Sequence, residues 1–327
     1  ISNLKDVVNV AYNVFGQKSV TVGDFSTNTT FFEQYNYFQK IDVLCAVHGT
    51  ALLNDKAKQI TNAIFGVGKK DEETLGKGVY KQFGAGANGF DIASCQFAIH
   101  YFFKSPEIQS GFLRNIAECT KLNGYFIGTT YDGNRVFKLL SKMKTDEGIK
   151  IMENGKFVWE IIKRYGASNY DADSSCINYK IYVFQESIGQ PISEYLVNFE
   201  YLERVMELYG FKIISTPEAK EMGIPNGTGM FESLFDLMME KISQNKFMRK
   251  NYGEAPNMSA GEREISFLNR YFVYKKVRSV NAESVANAIL SRSVDEDMDE
   301  EDQTRKAQEA ARLALMAETK ATVRKTK

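Results

Sequence analysis

The chain has 327 residues, 43% apolar and 13% aromatic, which is enough to bury a sizeable core and rules out a disordered polymer. Forty-one basic residues balance 41 acidic ones, so bulk charge does not advertise nucleic-acid binding, although a local basic groove remains open. Four widely spaced cysteines without a C-x-x-C pair, and only His48 and His100 as imidazoles, argue for free thiols in a reducing compartment and against a zinc site or a histidine-rich metal centre. No apolar run reaches the length of a membrane span and no signal peptide is visible. A start at Ile1 rather than Met is expected of a fragment, a processed product or an incomplete sequence.

In chain order, residues 1–15 suggest a helix, followed by a Thr/Asn-rich polar stretch and an apolar, strand-like run from Ile41 to Val47. Helical spacing returns over Lys56–Phe65. Gly84-x-Gly86-x-x-Gly89 has the spacing of a dinucleotide-binding loop, but such glycines follow a strand and open a helix. Here they follow the polar run GKGVYKQF (76–83) and lead into the strand FDIASCQFAI (90–99), so a flexible connector is the expectation. Apolar residues Ile108, Phe112, Leu113, Ile116 and Ala117 predict a helix over 108–122, stopped by Asn123-Gly124. A strand over Tyr125–Thr130 completes a βαβ unit, which implies a parallel sheet, and a further helix is expected at Arg135–Met143.

A second cycle follows, with a helix over Phe199–Tyr209, a strand over Phe211–Ser215 and a final strand over Phe267–Val277. Beyond 278 the composition changes: seven of the eight residues Asp295–Asp302 are acidic, and an Ala-rich basic segment runs to Lys327. The division expected is a folded domain over 1–278 and a charged, helix-prone tail over 279–327. Ligands of open parallel sheets bind beyond the carboxyl ends of the strands, where Gln96, His100 and Tyr101 fall. The residues alone leave two readings there, ligand contact or the start of a helix packed on the core.

FDIASCQFAIHYFF (90–103), continued by FLRNIAECTKLNGYFIGTTYDG (112–133), resembles the messenger-RNA cap guanine-N7 methyltransferase family. SEYLVNFEYL (193–202) and ISFLNRYFVYKK (265–276) are similar to two further boxes of that family, in the same order. The segment 65–84 is similar to the form found in capping enzymes of large DNA viruses. The resemblance implies an α/β, Rossmann-like methyltransferase fold with a mostly parallel sheet and helices on both faces, using S-adenosylmethionine. It implies that Gln96 and Phe97 line the cofactor site, and that His100, Tyr101, Glu194 and Tyr271 hold the cap guanine, with Glu194 accepting from its N1 and N2 edge. No catalytic acid, base or metal is expected, because guanine N7 attacks with its own lone pair. The implied partners are the capped RNA 5′ end and other capping-enzyme domains or subunits, with no membrane. The implied setting is intracellular: a virion or cytoplasmic viral factory for a viral protein, the nucleus for a cellular one.

The family's glycine-rich cofactor loop and an acidic residue for the ribose are not found in these 327 residues. The family's Asp-Ser turn near adenine is replaced after Gly49 by TALLNDKAKQI (50–60), and Asp24 stands too early to replace it. Two readings stay open: an active methyltransferase whose cofactor loop lies outside this sequence, or a non-catalytic methyltransferase-like subunit that binds or stimulates a capping enzyme.

Overall fold

The computed structural model describes residues 62–185 and 190–291. The elements expected before residue 62, Asp24 and the charged segment beyond 291 lie outside the described residues. Helix α1 (Glu72–Lys81) occupies most of the polar run expected to be loose, and the glycines that follow it turn the chain into strand β1 (Phe90–Gln96). Gly89 has φ +84°, and a Cβ there would stand 2.9 Å from backbone atoms of Cys119 and Lys121. This glycine seats the start of β1 against the segment entering β2, a packing role with no phosphate cradle in it.

A 3-10 helix (Ile99–Lys104) and helix α2 (Pro106–Cys119) come next. Ser105 caps α2 by accepting from the Ile108 amide, with Pro106 in the first turn, where its missing N–H costs nothing. The helix ends three residues earlier than its apolar spacing predicts. Strand β2 (Thr120–Tyr131) already begins at Thr120 and absorbs Asn123, in the left-handed region at φ 64°, as an irregularity in its pairing with β1. Helix α3 (Gly133–Leu139) is capped by the Asp132 carboxylate.

Four strands then form a separate antiparallel sheet in the order β3 (Gly148–Glu153), β4 (Lys156–Lys163), β5 (Lys180–Gln185) and β6 (Ile192–Tyr195). Its inner face holds Trp159, Ile161, Ile181 and Val183 in a core shared with Val136 and Leu140 of the α3 region. The Trp159 indole donates to the Gly261 carbonyl at 2.8 Å.

Helix α4 (Phe199–Leu208), strand β7 (Phe211–Ile213), helix α5 (Thr216–Glu221), strand β8 (Thr228–Met230), helices α6 (Phe231–Gln244) and α7 (Ala260–Ser266) and strand β9 (Asn269–Lys276) complete the body. The main sheet runs β1-β2-β9-β7, with β8 also paired to β9. The α/β class holds, but "mostly parallel" does not describe this sheet. Among the described pairings only β1 with β2 is parallel, because β9 runs antiparallel to β2, β7 and β8. Phe112, Phe126, Phe272 and Tyr274 fill the main core between this sheet and α2 and α4. The composition change at 278 does not end the fold: a helix over 282–291 packs Ala282 and Ala286 into the same core.

Candidate functional site

The site is built where β1 and β2 end side by side. Gln96 pairs in register with Thr129, and its amide is held from both sides: Oε1 accepts from Thr129 Oγ1 at 3.0 Å and Nε2 donates to Ser94 Oγ at 3.0 Å. Phe97 then leaves the strand with φ 51°, a conformation that costs a non-glycine residue roughly 1 kcal/mol or more. Its amide donates to the Thr129 carbonyl at 2.8 Å, which fixes the turn. The residue stays 44% exposed, with the Phe231 ring edge-on to its own at 5.9 Å.

The turn delivers the next residues into a 3-10 helix in which Ile99, Phe102 and Phe103 anchor in the core. His100 and Tyr101 are thereby buried side by side, ring centroids 4.2 Å apart. His100 Nδ1 lies 3.2 Å from Thr130 Oγ1 and 3.8 Å from Glu194 Oε2. Glu194 comes from the other sheet, on β6 opposite Ile181, so the two sheets meet at this imidazole and carboxyl. Nearby, Gln185 Nε2 donates to the Tyr131 hydroxyl at 2.8 Å.

Burial sets the charges. It pushes His100 down to about 3 and Glu194 up to about 8. At neutral pH the pair is therefore an uncharged imidazole beside a neutral carboxylic acid. Tyr101 and Tyr131 are raised by burial first and by the Glu194 carboxylate second. His100 Nε2 and Glu194 Oε2 are both buried without a hydrogen-bond partner. Each such atom costs about 1–3 kcal/mol unless something satisfies it.

Of the residues singled out from sequence, the structure thus brings His100, Tyr101 and Glu194 together. Gln96 and Phe97 flank them at the β1 terminus. Tyr271 sits apart: it pairs with Thr129 on β9, and strand alternation puts it on the sheet face of Gln96, opposite the face on which Thr130 meets His100. The sequence reading missed Thr130, Tyr131 and Gln185. The first two lie in the quoted GTTYDG box, and Gln185 ends a strand whose alternating pattern, KIYVFQ, was there to be read.

The exposed Phe97 offers a flat apolar ring, of a kind an adenine could stack on, at the strand end where parallel sheets take ligands. Among the described residues no group of His, Cys, Asp and Glu side chains is arranged to hold a metal ion.

Residues 52–277 match the mRNA (guanine-N(7))-methyltransferase domain, more than half of the chain, and the protein belongs to that methyltransferase family. It is 28% identical over 211 residues to a probable mRNA-capping enzyme of Acanthamoeba polyphaga mimivirus, covering 59% of this chain and 18% of that protein. It is 24% identical over 200 residues to an mRNA cap guanine-N(7) methyltransferase of Saccharomyces cerevisiae, covering 60% of this chain and 44% of that protein. The chain thus spans less than half the length of either relative.

Proposed function

We propose that this chain transfers a methyl group from S-adenosylmethionine to N7 of the guanine at the capped 5′ end of RNA. The observation that carries the reading is the buried His100–Glu194 pair, whose Nε2 and Oε2 atoms lack partners at the carboxyl ends of β1 and β2. Guanine presents N1–H and the exocyclic N2–H side by side, and a carboxylate has two oxygens to accept them. Glu194 selects guanine through that edge, while His100 and Tyr101 fix its plane. The cofactor supplies an electrophilic methyl group on a sulfonium. Guanine N7 needs no general base, so the protein's work is positioning and a site pre-arranged for moving charge. Phe97 stacks on the cofactor's base, Gln96 borders it, and Tyr271 lines the Gln96 side of the sheet.

Family membership supports the chemistry, and the small share of the mimivirus relative covered supports other capping domains or subunits acting alongside. Co-purification of guanylyltransferase activity with the native protein checks that last point.

The deciding experiment is calorimetric titration with S-adenosylhomocysteine and with a GpppG dinucleotide, followed by methyl-transfer assay. Binding of both, with transfer to GpppG and none to ApppA, is expected. Cap binding without cofactor binding would leave a cap-binding, non-catalytic subunit. Binding of neither would end the reading. Because Glu194 holds a proton up to about pH 8 in the empty site and must release it to accept two N–H groups, GpppG affinity rises with pH towards 8, by up to about tenfold per unit. Glu194→Gln lowers affinity by about a hundredfold and flattens that rise, since its amide turns a donor towards guanine's donors.

A further inference from the structure

The four-stranded sheet has an outer face as well as the inner one that carries Glu194. Alternation along the strands puts Lys150, Lys180, Tyr182 and Phe184 on that outer face, a bulge in β4 between Phe157 and Trp159 turns Phe157 to it as well, and Arg164 follows directly from β4. The rings and cations interleave. Lys150 Nζ is 4.9 Å from the Phe157 ring, and the Arg164 guanidinium and Lys180 Nζ lie 4.6 and 5.1 Å from the Tyr182 ring. Phe157 and Phe184 meet edge-on at 4.8 Å. All three rings remain partly exposed. Among the described residues, Glu160 lies within the face opposite Lys150, and Asp146 pairs with Arg164. Three cations therefore face two carboxylates among the described residues, and each of the three cations also sits on an aromatic ring.

We propose that this outer face is the platform for the single-stranded RNA that follows the cap. The inference rests on the cap-methylation reading for the identity of the strand. Rings and guanidinium planes stack bases without regard to sequence, and lysines beside them meet the phosphates, which is the chemistry of sequence-tolerant single-strand binding. Strand β6 joins the two sites: Glu194 points to the inner face, while its neighbour Ser193 stands beside Tyr182 on the outer one. β6 is also the edge of its sheet among the described residues. A chain leaving the guanine pocket therefore reaches the platform by passing one strand edge.

The test uses the 327-residue chain and a fluorescein-labelled, uncapped 12-nucleotide oligouridylate, read by anisotropy over a range of salt. The wild type binds with a marked salt slope. Lys150→Gln and Lys180→Gln each lower that slope by about 0.7, the value for one phosphate contact on a single strand. Tyr182→Leu, which keeps apolar volume and hence the fold, weakens binding about tenfold. In methyl transfer the same variants raise KM for a capped 12-nucleotide RNA and leave GpppG kinetics unchanged. Unchanged oligouridylate affinity in Tyr182→Leu overturns the platform. So does a response to the lysine variants alone, which would mark a polyanion surface suited to an acidic protein partner. If neither GpppG nor capped RNA is methylated, the cap reading fails, and oligouridylate binding still decides the platform by itself.

Discussion

At the scale of single residues, the His100–Glu194 pair makes the protein's stability depend on pH in two opposed ways. Glu194 is raised by burial from its ordinary 4.5 to about 8, so the folded state holds a proton that the unfolded chain gives up. Stability contributed by the neutral acid is present below pH 4.5 and lost as pH rises towards 8. His100 is lowered by burial from 6.5 to about 3, so its contribution is present above pH 6.5 and lost as pH falls. Between these limits the slopes oppose each other. Glu194→Gln removes the falling one, so the variant gains on the wild type by roughly 1 kcal/mol per unit between about pH 5 and 7.5. Urea unfolding at three pH values reads this directly, and parallel profiles for the two proteins would refute the charge assignment.

The positions of the candidate site residues were also the most legible part of the sequence. His100 and Tyr101 stood at a strand end, and Glu194 stood in its own box. Their convergence was implied by the resemblance alone and by no local pattern, because it needs a 3-10 turn after β1 and a second sheet that brings in a residue 94 positions later. Tyr271 shows the limit of a box: its place in β9 was readable, but which face of the sheet it takes depends on the register with β2.

Among the elements, strand β6 and helix α4 are joined by a short connection that ends in Asn198. Its side chain accepts from the Glu200 and Tyr201 amides and donates to the Asp171 carbonyl at 3.1 Å. This residue is 1% exposed. Asn198→Ala removes the cap and leaves the Asp171 carbonyl with one partner fewer, a loss of about 1–2 kcal/mol on thermal or urea unfolding. The variant also loosens Glu194, four residues upstream, so GpppG KM rises with little change in S-adenosylhomocysteine affinity.

Strands β3–β6 were the elements least visible beforehand. Yet IMENGKFVW carries apolar residues on both sides of Asn154-Gly155, both in the left-handed region, the signature of a two-residue hairpin turn. The helix–strand boundary at 119–124 failed for a different reason. Asn123-Gly124 signals a stop, but the chain uses it as a kink inside β2 rather than as the helix end.

For the whole molecule, the helix over 282–291 belongs to the packed body. Ala282 and Ala286 are buried, with Val285 and Ile289 against the same core, and Ser110 on α2 lies beneath it with its hydroxyl against the Tyr209 hydroxyl. Ending the chain after Arg278 therefore uncovers apolar core and lowers the unfolding midpoint, at a cost of a few kcal/mol. An unchanged midpoint would restore the boundary that composition suggested. Composition failed there because a helix with a narrow alanine stripe reads like a solvated tail until something covers it.

The candidate site draws on both sheets: His100 and Thr130 stand on the main sheet's side, Glu194 on the edge of the other. A guanine held by both is a cross-brace. Amides of β6 and of the 3-10 helix over 99–104 are then expected to exchange with solvent more slowly once GpppG is bound, by up to the binding free energy, about 2.7 kcal/mol at a hundred times Kd. Those of α1, on the far flank, keep their own rate.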